Sequence, residues 1–197
     1  GPRGELIALA DGPRGLGYWI CEWCGHGAAV AENLKKPPKH DNPMTGKPCE
    51  GFRRVLDLAH RYETDILTLS APSSLGTSKE SLLSVLYAVV EAACDALEIA
   101  RDDIGGSLTP TSADSWSLAL FDRVPGGAGH VLNIAANIDE VLRVALQRVT
   151  TCECGPETSC YGCLRSYANQ REHDLLSRGA ARDVLSRLLL GRAGDQA

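Results

Sequence analysis

Apolar positions fall into two periods along this chain, and the change between them marks out its core. Asp65-Ile66-Leu67-Thr68-Leu69 alternates and is rich in aliphatic and β-branched residues, which predicts a strand from about Tyr62 to Ala71. Pro72 to Gly76 ends it. Thr77 to Glu80 has the form of a capping box, and Leu82, Val85, Leu86, Val89, Ala93 and Leu97 then recur at helical spacing, giving a helix from about Ser78 to Glu98. Arg101 to Gly106 reads as a turn-rich connection. Ser117 to Phe121 is an apolar run of buried-strand length that stops at Asp122 and Arg123. After the glycine-rich turn Pro125-Gly126-Gly127-Ala128-Gly129-His130, a helix carries Val131, Ile134, Ala135, Ile138, Val141, Leu142, Ala145 and Val149, with a break near Asn137. A last helical stretch from Asn169 to about Leu190 is interrupted at Gly179.

The first fifty residues follow neither period for long. Asp11 to Gly15 reads as a loop leading to a short strand at Tyr18 to Ile20, and Pro37-Pro38, Asn42-Pro43, Gly46 and Pro48 keep the following segment irregular. The expected fold class is α+β, a small mixed sheet packed by helices with two zinc-binding loop regions. Its expected parts are a zinc-knuckle segment over 1–52, an α+β core over 53–150, and a cysteine cluster with C-terminal helices over 151–192.

Cysteine spacing supplies the chemistry that hydrophobic pattern cannot. Cys152, Cys154, Cys160 and Cys163 lie within a dozen residues, at a spacing that suits one tetrahedral Zn²⁺ with all four positions filled by thiolate. Such a closed set is structural, because no position remains for water. Cys21 and Cys24 form a CxxC knuckle, which His40 and Cys49 complete. His26 could replace His40, and His60, beyond Cys49, is a poorer candidate. The long insert is tolerable because loop closure cost grows only logarithmically with length. Disulfides are the competing reading of an even cysteine count, but there is no signal-peptide apolar region, and CxC and CxxC pairs are too close for ordinary bridges. Cys94, alone in a helical pattern, reads as a buried small side chain.

With 197 residues, 44% hydrophobic and 23% charged, the chain can bury a core without disulfides, and no apolar run approaches bilayer length. A net charge of −5 argues against a wholly electrostatic nucleic-acid binder. Local charge differs: Lys35, Lys36, Lys39, Lys47, Arg53, Arg54 and Arg61 gather near the first ligand set, and Arg165, Arg171, Arg178, Arg182, Arg187 and Arg192 follow the second. The chain opens on Gly1-Pro2 without an initiating Met, so a piece of something longer is expected.

Familiar catalytic patterns are missing. The glycine turn lacks the Lys-Ser or Lys-Thr of a phosphate loop, and neither cysteine group has the HxE segment of a zinc deaminase. A tight strand-to-helix turn is the plainer reading of the glycines, and a hydrogen-bonded structural residue that of His130. A divergent nuclease-like site at Asp65, Asp122 and His130 is the remaining catalytic alternative.

The order Tyr62-Glu63-Thr64-Asp65-Ile66-Leu67, then Leu120 to Gly129, then the cysteine cluster running into Cys163-Leu164-Arg165-Ser166-Tyr167-Ala168-Asn169-Gln170, resembles the MrfA-type zinc-binding domain. That domain stands at the C-terminus of DEAD/DEAH-box superfamily-two helicases and of the DrmB protein of DISARM phage-defence systems. The resemblance implies a bacterial, cytoplasmic, non-catalytic accessory module that binds zinc through Cys152, Cys154, Cys160 and Cys163 and works beside helicase motor domains on DNA. Arg165, Tyr167 and Arg171, with Lys35, Lys36, Arg53 and Arg54, are the expected contacts to DNA or a partner. A protein-interaction module without DNA contact is the other non-catalytic reading.

Overall fold

A computed structural model of the chain describes residues 3–33, 36–70, 72, 75, 77–112 and 115–194. By its internal contacts the chain divides into a smaller unit, Glu5–Tyr62, and a larger one made of Gly1–Gly4 and Glu63–Ala197.

The smaller unit is built from short strands. β2 (Tyr18–Cys21) lies between β3 (Gly27–Ala29) and β6 (Arg53–Leu56), antiparallel to both, with Tyr18 opposite Ala29 on one side and Leu56 on the other. β4 (His40–Asp41) and β5 (Pro48–Cys49) make a second small ladder that sets His40 opposite Cys49. Between β2 and β3 the chain reverses at Gly25, whose φ of 71° is a left-handed conformation and whose N–H donates to Cys21 O at 2.9 Å.

A four-stranded sheet runs in the order β1 (Arg3–Ala10), β7 (Leu58–Ser70), β9 (Ser115–Asp122), β8 (Ile104–Ser112), with β7–β9 and β8–β9 antiparallel; β8, β9 and β7 from Glu63 onward belong to the larger unit. α1 (Lys79–Leu97) packs on β8 and β9 and on α3 (Ile138–Thr151) and α4 (Arg178–Gly194), and α2 (His130–Ala136) precedes α3 across Asn137. Leu86, Val89 and Val90 of α1, Ile104 and Leu120 of the sheet, Val141 and Val149 of α3 and Leu185 of α4 share one buried core. The helix break at Asn137 lies where the pattern places it. No described helix is long and apolar enough to cross a membrane.

Several boundaries differ from the sequence reading. The cap of α1 is Ser78 rather than Thr77: its hydroxyl accepts from the Ser81 N–H at 3.2 Å, which leaves Glu80 outside any capping box. The turn expected over 101–106 ends at Asp103, because Gly105 and Gly106 belong to β8. A Cβ on Gly105 would lie 2.5 Å from the Phe121 ring and one on Gly106 2.8 Å from Leu86 Cδ1, so these glycines serve close packing within a strand. β1 and most of β8 have no counterpart in the pattern. The C-terminal interruption falls at Leu176 and Ser177, between a 3₁₀ segment (Tyr167–Leu175) and α4. Gly179 lies inside the first turn of α4, where a Cβ would come within 2.9 Å of Pro156 O.

Candidate metal centres

In the smaller unit, Cys21 ends β2, Cys24 sits in the Gly25 turn, and the β4–β5 pairing delivers His40 and Cys49 together. One donor atom from each lies within 4.8 Å of every other. Cys21 Sγ is 3.8 Å from Cys49 Sγ, and Cys24 Sγ is 3.2 Å from His40 Nε2. His26, the alternative ligand, instead packs its ring on His40 with centroids 4.6 Å apart. Burial, with the positive charge of Arg53 and the neighbouring His26, holds the His40 pKa below its ordinary value and favours the neutral, metal-competent imidazole. Its Nδ1 is buried without a partner among the described residues. Gly51 must be glycine here, since a Cβ would come within 2.6 Å of Cys21 Sγ.

In the larger unit, Cys152 and Cys154 follow the end of α3, and Cys160 and Cys163 bracket a tight turn. The four sulfurs again lie within 4.8 Å of one another, and the described separations are 3.5 Å for Cys152 to both Cys154 and Cys160, 3.7 Å for Cys154 to Cys163 and 3.8 Å for Cys160 to Cys163. Four sulfurs placed about 2.3 Å from a central zinc would be separated by roughly 3.8 Å, and a disulfide would need about 2.05 Å. All eight cysteines are free. The donor sets therefore suit two Zn²⁺ ions and no disulfide. A hydrogen bond from the Cys154 backbone, together with bonds from neighbouring thiols, brings the Cys152 thiol down to about 7 against burial, whereas burial pushes Cys163 up to about 12. One ligand is thus ready as thiolate near neutrality and another awaits a cation's field.

Two arginines, Arg178 from the basic run after the second ligand set and Arg148, which sequence reasoning did not single out, tie this loop to the helices. Arg178, buried, donates from Nη1 to Val149 O at 2.8 Å and from Nε to Cys154 O at 3.0 Å. Arg148 donates from Nε to Cys163 O at 2.9 Å. Val149 lies in the last turn of α3, whose carbonyls have no partner within the helix, so Arg178 closes that helix end onto the metal loop. Nothing in local spacing marks either residue, because both act on distant backbone.

After the last ligand, Leu164 is wholly buried and Asn169 fixes the chain, accepting from Ser166 N–H at 2.8 Å and donating from Nδ2 to Leu164 O at 2.9 Å. His173 Nε2–H donates to Asn169 Oδ1 at 2.9 Å and its ring stands edge-on to Tyr161. Of the predicted contact residues, Arg165 is turned back on the loop, donating to Ser159 Oγ at 2.9 Å, while Tyr167 is 85% exposed and Arg171 is exposed. Lys36 is exposed; Arg53 donates to Pro38 O; Arg54 pairs with Glu22 at 2.6 Å. Lys35 lies outside the described residues.

The glycine turn is occupied from within. The buried Asp122 carboxylate accepts from the N–H groups of Ala128 at 2.6 Å, His130 at 3.2 Å and Val131 at 3.0 Å, filling the position an anion would take at the start of α2. Gly127, at φ 77°, has its Cα against Asp65: an added Cβ would fall 2.2 Å from the carboxylate. His130 faces Asp103 at 3.7 Å. Asp122 and the His130 N–H thus act together in shaping the turn, Asp65 packs against Gly127 in it, and the His130 ring faces Asp103.

Fold and donor sets together define an α+β module with two sulfur-rich four-donor clusters that could each hold a metal ion. Residues 85–164 match the family model described as MZB, the MrfA Zn-binding domain, so the resemblance read from the residues is borne out over that span. The span holds all four cysteines of the second tetrad and none of the first. Among curated proteins, Druantia protein DruE of Escherichia coli (strain UMEA 4076-1) is 30% identical over 203 residues, covering 89% of this chain but 11% of that protein. Among solved structures, the DUF1998 helicase MrfA bound to DNA aligns with 76% of this chain and 20% of that one, at 15% identity and a TM-score of 0.47. The same helicase bound to DNA and AMPPNP aligns with 75% and 19%, at 16% identity and a TM-score of 0.47.

Proposed function

We propose that the chain is a non-catalytic accessory module of a bacterial, cytoplasmic helicase-type DNA-processing protein, acting in phage defence or DNA repair. Its task is to support DNA binding or docking to the motor domains. Cys152, Cys154, Cys160 and Cys163 hold one structural Zn²⁺, and Cys21, Cys24, His40 and Cys49 hold a second. Zinc supplies the fixed tetrahedral node, and the chain's own residues do the rest: Arg148 and Arg178 lock the loop to the helices, and the segment after Cys163 is presented to a partner.

The observation that carries this reading is the match to a zinc-binding domain whose span closes on a complete four-sulfur tetrad, followed directly by the exposed Tyr167 and Arg171. The internal occupation of the glycine turn by Asp122 supports a structural rather than catalytic role for that region.

The test is made in the parent protein. Arg171→Glu combined with Tyr167→Ala is expected to weaken DNA binding at least several-fold and to flatten its salt dependence by about one released ion for each phosphate no longer neutralised. Unchanged affinity and slope would reject DNA contact at this edge. A docking role has its own support, since eleven lysines and arginines stand against eighteen acids from Glu63 onward, a poor surface for a polyanion. On that reading the same variant leaves DNA binding intact and weakens association with the motor segment.

A further inference from the structure

We infer that a polar stripe on α1, made of Ser84, Tyr87, Glu91 and Asp95, sets the position of the segment that follows the last cysteine ligand, with Glu91 as its central positioning residue. The inference deepens the proposed function: it rests on Tyr167 and Arg171 as the contact edge and names what holds that edge in place.

From Leu82 to Leu97 these four are the charged and hydroxyl-bearing side chains of α1, and every other residue is Leu, Val, Ala or Cys. Steps of three, four and four residues keep them on one face of the helix. Ser84 and Tyr87 are buried, and the Glu91 side chain is 14% exposed. Polar groups at that depth need partners, and these find theirs in or against residues 163–177. Ser84 Oγ accepts from the Ser177 N–H at 3.0 Å. The Tyr87 hydroxyl donates to the Glu172 carboxylate; burial, with that carboxylate beside it, raises the phenol's pKa and keeps it a donor.

Glu91 acts through two arginines. Its Oε1 accepts from Arg101 Nε at 2.7 Å, and its Oε2 lies 3.9 Å from Arg148 Nη2. Arg148 also pairs with Asp95 and donates from Nε to Cys163 O at 2.9 Å, while Arg101 Nη2 reaches Ser166 Oγ at 3.5 Å. One carboxylate thus stands between two half-buried guanidiniums, one on the backbone of the last ligand and the other on the residue that caps the 3₁₀ segment Tyr167–Leu175. Glu91→Gln would keep the size of the side chain and remove the counter-charge both arginines share, a loss that poorly solvated ions do not tolerate.

The segment needs such a hold. The proposed zinc ligands end at Cys163, so the metal grips only its beginning. Its own 3₁₀ turns have poor hydrogen-bond geometry and are broken at Asn169, whose φ is −111°. Tyr167 and Arg171 lie between Ser166, held from Glu91 through Arg101, and Glu172, held from Tyr87. The stripe therefore clamps the contact edge at both ends.

The experiment follows amide exchange by mass spectrometry in the full-length zinc-loaded protein. Glu91→Gln is expected to speed exchange over 164–177 about ten-fold, with α1, α3 and the β8–β9 ladder still protected and both zinc ions retained. Glu91→Asp, which keeps the charge, restores part of the protection. Tyr87→Phe frees 170–177 alone. Binding to labelled DNA or to the motor segment should weaken about five-fold in Glu91→Gln, and the change should add nothing to the loss in the Tyr167→Ala, Arg171→Glu variant, because both act through one edge.

Wild-type exchange in Glu91→Gln overturns the clamp. So does a loss of protection shared by α1 and the β8–β9 ladder, which would make Glu91 a support of the whole fold, and so do additive losses in the combined variant. If the Tyr167→Ala, Arg171→Glu variant binds DNA and the motor segment as wild type does while Glu91→Gln still frees 164–177, the contact reading falls and the positioning stands. If that variant loses binding while Glu91→Gln changes neither exchange nor affinity, the contact reading stands and the positioning falls.

Discussion

In the smaller unit, the buried residues between Glu5 and Tyr62 are Cys21, His40 and the glycines Gly12, Gly17 and Gly51, among those described. Val55, Leu56 and Leu58 are each more than 40% exposed, so the unit has ligands where a domain would have a core. The second tetrad has opposite surroundings. Cys163 and Leu164 are fully buried in the same cluster as Val149, Leu176, Ala181 and Leu185. One metal centre stands in for a hydrophobic core and the other is stitched onto one that already exists.

The contrast predicts unequal consequences of losing a ligand. Cys49→Ser should abolish amide-exchange protection throughout β2 to β6, because a metal contribution on the order of 10 kcal/mol has nothing to replace it. Cys152→Ser should strip protection from about 152–178 only, leaving α1, α3 and the β8–β9 ladder protected. Hydrogen-exchange mass spectrometry reads both. Global unfolding in Cys152→Ser, or a protected β2–β6 sheet in Cys49→Ser, would break the comparison.

The same difference explains what the sequence made legible. α1 and the α2–α3 break were readable because the core they serve imposes a helical period on Leu82 to Leu97 and again on Val131 to Val149. The two cysteine groups were readable because tetrahedral geometry imposes spacing. His40 and His26 could not be separated, since the choice depends on the pairing of His40 with Cys49 across a loop that spacing does not constrain. β8 escaped because Gly105 and Gly106 look like a turn until the Phe121 ring and Leu86 are seen to lie against them. Arg178 escaped for a related reason: its partners are backbone carbonyls 29 and 24 residues earlier in the chain. Interactions of that kind leave no periodic trace.

Arg178 sharpens the comparison at a smaller scale. If the second tetrad is stitched to a standing core, the stitching should have measurable strength apart from the metal. Arg178→Ala leaves Val149 O and Cys154 O without their donor, at a cost of about 2–3 kcal/mol, read as a lower urea midpoint at unchanged zinc content. Arg178→Lys recovers only part of it, because an ammonium cannot span two carbonyls in the fixed plane of a guanidinium. A midpoint within error of wild type would mean that the metal alone secures the loop.

The smallest expected effect is in pH dependence, and it separates the two centres by their ligands' protons. In the metal-free fold the Cys152 pKa is lowered from 9.0 to about 7, so its thiolate stabilises the folded loop fully above pH 9 and ceases to do so as pH falls through 7. Above that point zinc finds this sulfur already deprotonated; below it, one more proton must be displaced. Zinc affinity at the second tetrad should therefore weaken more steeply with acid below pH 7 than above it, by one proton in the slope. His40 adds no such break above its ordinary value of 6.5, because burial and Arg53 lower its pKa and keep the ring neutral there. Competition with a chromophoric chelator between pH 6 and 8, in Cys49→Ser protein so that only the second tetrad reports, measures the slope. Its persistence in a Cys152→Ala, Cys49→Ser double variant would assign the proton to another ligand.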